Sequence, residues 1–225
     1  MTYIISSPER PALAVKNNTK LFPVARVFGI GRNYSETPHA EKKESDLTVL
    51  FMKDAYMLSR AEDGIHYPED TKQLRYEIEL VVAIGKQGKN VSVAAANDYI
   101  YGYAVGVDFT KYDAQEIAKQ HAWPWDRGKS FAGCAPCSPI VPKEEVTLDN
   151  NSIWLKRNNV DAQNGNLAQM IWTVPEIVAL ISTQFELLPG DLIFTGTPQG
   201  IGMTAKGDVL EGGVEQVGTI QFKVY

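Results

Sequence analysis

The sequence predicts a β-rich α+β fold, built on a curled mixed sheet or β-roll with few short helices. Three observations lead there. Segments of strand character outnumber the two or three helical ones, and they do not alternate with helices in the rhythm of a doubly wound fold. Tyr99–Val107 is a continuous apolar and aromatic run of the kind a central strand carries. The C-terminal part, with Gly190–Thr195 and Gly218–Val224, is β-rich and punctuated by glycine turns.

Length and composition bound the function. The chain has 225 residues, 44% hydrophobic and 22% charged, enough to bury one substantial core. Its formal net charge of -5, with no sustained basic run, gives no electrostatic footprint for nucleic acid or an anionic membrane, so a small molecule is the expected partner. No apolar stretch approaches a membrane span, and Met1–Pro8 lacks a basic segment followed by an apolar one. A cytoplasmic protein is expected.

In chain order, residues 1–23 read as an N-terminal arm rich in prolines and polar clusters, and 24–225 as the catalytic domain. Val24–Gly31 has strand character and runs into a charged loop, Arg32 to about Asp46, that contains Pro38 and is a candidate mobile lid. Leu47–Met57 returns to strand character, Gln73–Gly85 forms a strand, and Ser92–Ala96 suggests a short helix. Tyr99–Asp108 is the central strand. Thr110, with Asp113 three residues on, is a capping signal for a helix over about Lys111–Gln120. Trp123–Phe131 reads as a loop. Ile153–Lys156 and Val160 form a hairpin around Asn158-Asn159. Thr173, Pro175 and Glu176 mark a helix start, and Ile177, Val178, Leu180 and Ile181 supply its buried stripe.

The chemistry concentrates in Tyr76-Glu77-Ile78-Glu79-Leu80. Strand side chains alternate faces, so Glu77 and Glu79 project together while Tyr76, Ile78, Leu80 and Val82 fill the other face. Two like charges on one face either lie on the wet side of an edge strand or hold a cation. Asp108, at the end of the central strand, is a third carboxylate. Three oxygen donors without a neighbouring His or Cys suit a hard ion, Mg²⁺ or Mn²⁺, rather than zinc. The two cysteines, Cys134 and Cys137, sit in a turn-rich Cys-Ala-Pro-Cys segment rather than at a helix N-terminus, and read as buried or half-buried thiols. The glycine-rich Gly196–Gly202 turn lacks the Lys-Ser/Thr of a phosphate loop.

Five stretches together resemble the fumarylacetoacetate hydrolase family. They are Gly31-Arg32-Asn33-Tyr34, the Glu77/Glu79 strand, Asp108-Phe109-Thr110-Lys111-Tyr112-Asp113-Ala114-Gln115, Lys129-Ser130-Phe131, and Pro189 through Gly202. Within it, Trp172–Glu176 and Asp208–Val214 look most like the bacterial fumarylpyruvate hydrolases. The resemblance implies a mixed β-roll like that family's C-terminal domain, a homodimer, and Mg²⁺ or Mn²⁺ held by Glu77, Glu79 and Asp108. It implies hydrolysis of a C–C bond in a 2,4-diketo acid, fumarylpyruvate or another acylpyruvate, as in gentisate-type aromatic catabolism. Lys129 would stabilise the enolate oxyanion. His39 would activate water with a glutamate, Glu41 or Glu44. Arg32, Lys53, Tyr112, Gln115 and Thr197 match substrate-side positions.

Two departures stand out. The lid carries Thr37-Pro38-His39-Ala40-Glu41 where the family usually has His-x-x-Glu, and Tyr112 replaces an arginine common in its acylpyruvases. Two alternatives therefore accompany the hydrolase: an oxaloacetate or other β-keto acid decarboxylase using the same metal site, and a catalytically silent metal-binding dimer. His66 and His121 match no family position.

Overall fold

The structure, a computed structural model, describes residues 4–6, 8–39, 42 and 49–225. The fold is β-rich, as expected. Its main element is a curled mixed sheet whose strands lie in the order Val49–Lys53, Val27–Gly31, Leu192–Phe194, Ile78–Ile84, Ile100–Val107, Ala135–Cys137, Leu58–Arg60. Val141–Pro142 also pairs with Ile100–Val107. Leu192–Phe194 runs parallel to Val27–Gly31, and Ala135–Cys137 parallel to Leu58–Arg60; the other pairs are antiparallel.

An antiparallel four-stranded sheet, Val160–Asn166, Ser152–Arg157, Val209–Val214 and Gly218–Lys223, packs against it. The core between them is fully buried, with Ile78, Leu80, Ile153, Leu155, Leu210, Ile220 and Phe222 among its members. A small third sheet joins Gly202–Met203, Leu74–Tyr76 and Thr110–Lys111. Ala12–Leu13 pairs with Phe22–Pro23. Helix α1 covers Tyr112–Gln120, α2 Asp126–Lys129 and α3 Val174–Gln184. Among the described residues no helix is long and apolar enough to cross a membrane.

Local signals set several elements as expected. Asn158 and Asn159, at φ 52° and 63°, turn the Ser152–Asn166 hairpin, the left-handed geometry that asparagine tolerates. Thr173 and Glu176 form the reciprocal capping box of α3, and Ile177, Val178 and Ile181 are buried beneath it. Leu180 is only half-buried. The short helix after Ser92 is a 3-10 helix, Val93–Tyr99.

Four expectations are corrected. The glutamate strand is two strands: the chain leaves the small sheet after Tyr76 and enters the main sheet at Ile78, with Glu77 at the break. Ile78–Ile84 is also buried on both faces rather than half-wet, because the second sheet covers it. Thr110 does not cap α1; Lys111 holds that position, and the Thr110 hydroxyl donates to Glu77 instead. The Trp123–Phe131 loop contains a turn of helix, α2, that carries Lys129.

Candidate metal and substrate site

The site is assembled where the main sheet meets the small sheet. The Asp108 N–H donates to the Glu77 carbonyl at 2.8 Å, which joins the start of one central strand to the end of the next. Glu79 faces Gly106 in the register. Glu77, Glu79 and Asp108 each place a carboxylate oxygen within 4.8 Å of the others'. Asp108 is fully buried and Glu79 is 2% exposed, so this is no wet edge.

Lysines answer the charge. Lys129, 2% exposed, donates from Nζ to Asp108 Oδ2 at 2.6 Å and to Glu77 Oε1 at 3.1 Å. Lys53 Nζ lies 2.7 Å from Asp108 Oδ1, off the hydrogen-bonding direction, and donates to the Phe109 carbonyl at 3.3 Å and to the Lys129 carbonyl. Lys53 thus sits behind the cluster and ties Asp108 to α2. Burial opposes the Lys129 charge, but Asp108 and then Glu77 hold the ammonium well above its ordinary range. Burial likewise works against the Asp108 charge, and Lys129 and Lys53 more than offset it, leaving its pKa lowered. Glu79 is pushed well up, first by burial and then by the charges of Asp108 and Glu77.

Three carboxylates face two ammonium groups, and Glu79 is the one without a lysine in ion-pair contact among the described residues. The donors are all hard oxygens, and a magnesium-like ion at about 2.1 Å from each ligand spans at most about 4.2 Å between them. The three carboxylate oxygens, within 4.8 Å of one another, would have to draw together by about half an ångström or more to close on such an ion. The residues therefore fit a Mg²⁺ or Mn²⁺ ion, which Glu77, Glu79 and Asp108 would hold.

Neighbouring loops fix these groups. Gly196, at φ 96°, donates its N–H to Glu79 Oε2 at 2.7 Å; a Cβ there would lie 2.9 Å from Asn33 Cβ, so glycine is required on both counts. Asn33 is buried and bridges Thr195 and Trp172 through three hydrogen bonds. Thr197 Oγ1 donates to the Ile78 carbonyl at 2.6 Å and accepts from Gln163 Nε2 at 2.8 Å, while Gln163 Oε1 accepts from the Ile78 N–H at 2.9 Å. Gln163, absent from the sequence-based site, latches the glutamate strand to the Thr197 turn. Only its place in a strand of mixed polarity hinted at it. The Tyr34 hydroxyl is buried without a hydrogen-bond partner among the described residues, and burial, then Glu79, raises its pKa well above the ordinary value.

The remaining predicted residues divide. Gln115 on α1 is buried against Gly128 of α2, where a Cβ would approach its own Cβ to 3.0 Å. The Tyr112 ring lies under Arg75, whose guanidinium carbon is 3.2 Å from the ring centroid. Arg32, at φ 60°, is exposed at the loop start. His39 donates its backbone N–H to Ala168 at 2.7 Å and lines a cleft of about 750 Å³ with Lys42, Leu167 and Glu176, separate from the cluster. Glu41 and Glu44 lie outside the described residues. Cys134 and Cys137 are buried free thiols, and burial drives the Cys137 pKa far up. His121 stacks on Trp123 with centroids 4.6 Å apart, and His66 lies beside Tyr225, neither at the cluster.

An acidic oxygen cluster with a buried lysine, set in a curled mixed sheet, defines a class that comparison makes specific. The chain belongs to the fumarylacetoacetate hydrolase family: the model for the fumarylacetoacetate (FAA) hydrolase C-terminal domain matches residues 26–225. It is 41% identical over 182 residues to a fumarylpyruvate hydrolase of Ralstonia sp, covering 81% of this chain and 95% of that protein. It is also 36% identical over 199 residues to the mitochondrial oxaloacetate tautomerase of Homo sapiens, covering 87% of this chain and 89% of that one. Among solved structures, Pseudomonas aeruginosa fumarylpyruvate hydrolase in complex with Mn²⁺ and pyruvate matches with TM-score 0.91 and 34% identity, over 99% of both chains.

Proposed function

We propose that this enzyme hydrolyses the C–C bond of a 2,4-diketo acid, fumarylpyruvate or another acylpyruvate, releasing a carboxylic acid and pyruvate. The observation that carries the reading is Lys129, a buried ammonium held between two of three convergent carboxylates. The Mn²⁺ and pyruvate bound by the Pseudomonas relative support it.

Glu77, Glu79 and Asp108 would hold a divalent metal ion, which would supply Lewis-acid charge to the 2-oxo acid end of the substrate. The chain's own residues do the rest. Water adds to the C4 carbonyl, its proton passing to His39, with Glu41 as its partner, which requires His39 to leave its cleft for the cluster. Collapse of the adduct breaks the C3–C4 bond, the electron pair goes to the pyruvate enolate, and a proton then adds at C3. Lys129 Nζ places positive charge where the enolate oxygen develops, a donor worth about 3 kcal/mol of barrier. Lys53 positions Asp108 and α2. Thr197 and Gln115 line the substrate carboxylate, and Arg32 the mouth.

A second reading, enolisation of oxaloacetate, draws on the tautomerase relatives and on the position of His39 beside Ala168. It moves a proton at C3 and needs no activated water. Metal-stripped protein incubated with fumarylpyruvate, acetylpyruvate and oxaloacetate, with and without Mn²⁺ or Mg²⁺, separates them. Metal-dependent release of pyruvate with fumarate or acetate is expected. Keto–enol exchange of oxaloacetate without acylpyruvate cleavage would establish the second reading, and CO₂ release from oxaloacetate a decarboxylase.

A further inference from the structure

Arg75 precedes Glu77 by two residues on the Leu74–Tyr76 strand and stands opposite Thr110 in the register. The Thr110 hydroxyl donates to Glu77 Oε1 at 2.9 Å. Directly opposed residues of an antiparallel pair share a face, so the Arg75 side chain leaves the sheet on the side of the carboxylate cluster. Its guanidinium carbon sits over Tyr112, 3.2 Å from the ring centroid.

This arginine has no ion-pair partner among the described residues, and its buried Nε has no hydrogen-bond acceptor. The carboxylates of the neighbouring chain segments are engaged elsewhere. Asp70 accepts from Lys111 at 2.7 Å, Asp113 from the Thr71 hydroxyl at 2.6 Å, and Glu116 from Lys119 at 2.9 Å. The Arg75 charge reaches Glu116 only as a minor influence, behind Lys119. A guanidinium stacked on a ring, with its donors unspent, is oriented for a planar anion.

By the family resemblance of the sequence, Tyr112 stands where an arginine is common. We propose that the guanidinium has moved to Arg75, with Tyr112 as its platform, and that it binds the carboxylate at the acyl end of a dicarboxylic diketo acid. The inference deepens the hydrolase reading and rests on it. Arg75 is two residues from Glu77, at most about 7 Å between their α-carbons. Six C–C bonds of about 1.5 Å separate the two carboxylate carbons of fumarylpyruvate, an extended span of about 7–8 Å. With the 1-carboxylate at the cluster, the other carboxylate arrives beside Arg75. Met203, opposite Arg75 in the register and exposed, offers an apolar surface to the carbons between.

The test compares wild type, Arg75→Met and Arg75→Lys on fumarylpyruvate and on acetylpyruvate, whose acyl end is uncharged, with Mn²⁺ present. For Arg75→Met, KM for fumarylpyruvate should rise about 10- to 100-fold, the range of a lost charge-assisted hydrogen bond, with kcat within about threefold. Acetylpyruvate KM should stay within about threefold, and Arg75→Lys should recover only part of the loss. Equal losses on both substrates, or an unchanged ratio between them, would overturn the proposal. If wild type cleaves neither compound, the hydrolase reading fails instead. Calorimetric affinities for the same two compounds then test Arg75: selective loss of fumarylpyruvate binding in Arg75→Met supports it, and parallel or absent loss overturns it.

Discussion

Lys129 and Glu79 should respond to neutralisation with opposite signs when no metal is present. Lys129→Met removes the ammonium that donates to Asp108 at 2.6 Å and to Glu77 at 3.1 Å, leaving buried carboxylates facing one another. Breaking a buried pair from one side costs about 3–5 kcal/mol. Lys53 still faces Asp108 and the Thr110 hydroxyl still donates to Glu77, so the lower end applies, about 3 kcal/mol. For a chain of this length that is a fall of about 6–12 °C in Tm. Glu79→Gln removes the charge that burial, Asp108 and Glu77 all disfavour, and its remaining side-chain oxygen still accepts from Gly196. Its metal-free Tm should hold or rise by about 2–4 °C, equivalent to about 1 kcal/mol. The assay is thermal unfolding with chelator and with Mn²⁺ at about a hundredfold excess over Kd, where binding adds about 2.7 kcal/mol to wild type. Lys129→Met should regain stability with Mn²⁺, because the ion replaces the missing positive charge, and Glu79→Gln should lose most of the response. A Glu79→Gln protein destabilised without metal, yet stabilised by Mn²⁺ as wild type is, would refute the electrostatic argument.

Three further outcomes follow from other parts of the structure. Gly196→Ala should lose about 1–3 kcal/mol in denaturant unfolding, since φ 96° is strained for any side chain and the new Cβ meets Asn33; unchanged stability would contradict the turn geometry. Asp208 has a lowered pKa: burial opposes its charge, but Asn158, the Ala205 N–H and Thr204 donate to it. Its stabilisation is therefore complete above the unfolded carboxylate value and is lost as pH falls through the lower folded value, so Asp208→Asn should flatten the acid limb of a stability–pH curve below about pH 4. His39→Ala should abolish acylpyruvate hydrolysis while leaving Mn²⁺ affinity, read by calorimetry, within about threefold; retained turnover would remove His39 from the mechanism.

Much of the site was legible because its chemistry is local. Two glutamates two residues apart and a carboxylate ending the central strand suggested an oxygen cluster, and the fold brings the three together although Glu77 sits at a break between strands. The Asn158-Asn159 turn and the Thr173–Glu176 capping box were legible for the same reason, each being a contact within four residues. Reading Gln73–Gly85 as one strand failed because nothing in its pattern marks the passage from one sheet to another at Glu77. That passage depends on distant partners, Gly202–Met203 on one side and Leu192–Phe194 on the other. Thr110 looked like a helix cap, yet its hydroxyl had a better acceptor in Glu77, 33 residues away in sequence.

The sequence by itself determined the β-rich class and the acidic residues that the fold clusters, because periodicity and side-chain chemistry belong to the residues. Only the tertiary structure decided what surrounds that set. It buried the carboxylates, brought Lys129 and Lys53 against them from separate elements, and placed Gly196 and Gln163 as their supports. It also laid Arg75 on Tyr112, turning an apparent loss into a candidate exchange. The physical reason is range: strand alternation and capping act over a few residues, whereas burial and charge compensation are sums over neighbours that only the folded chain assembles.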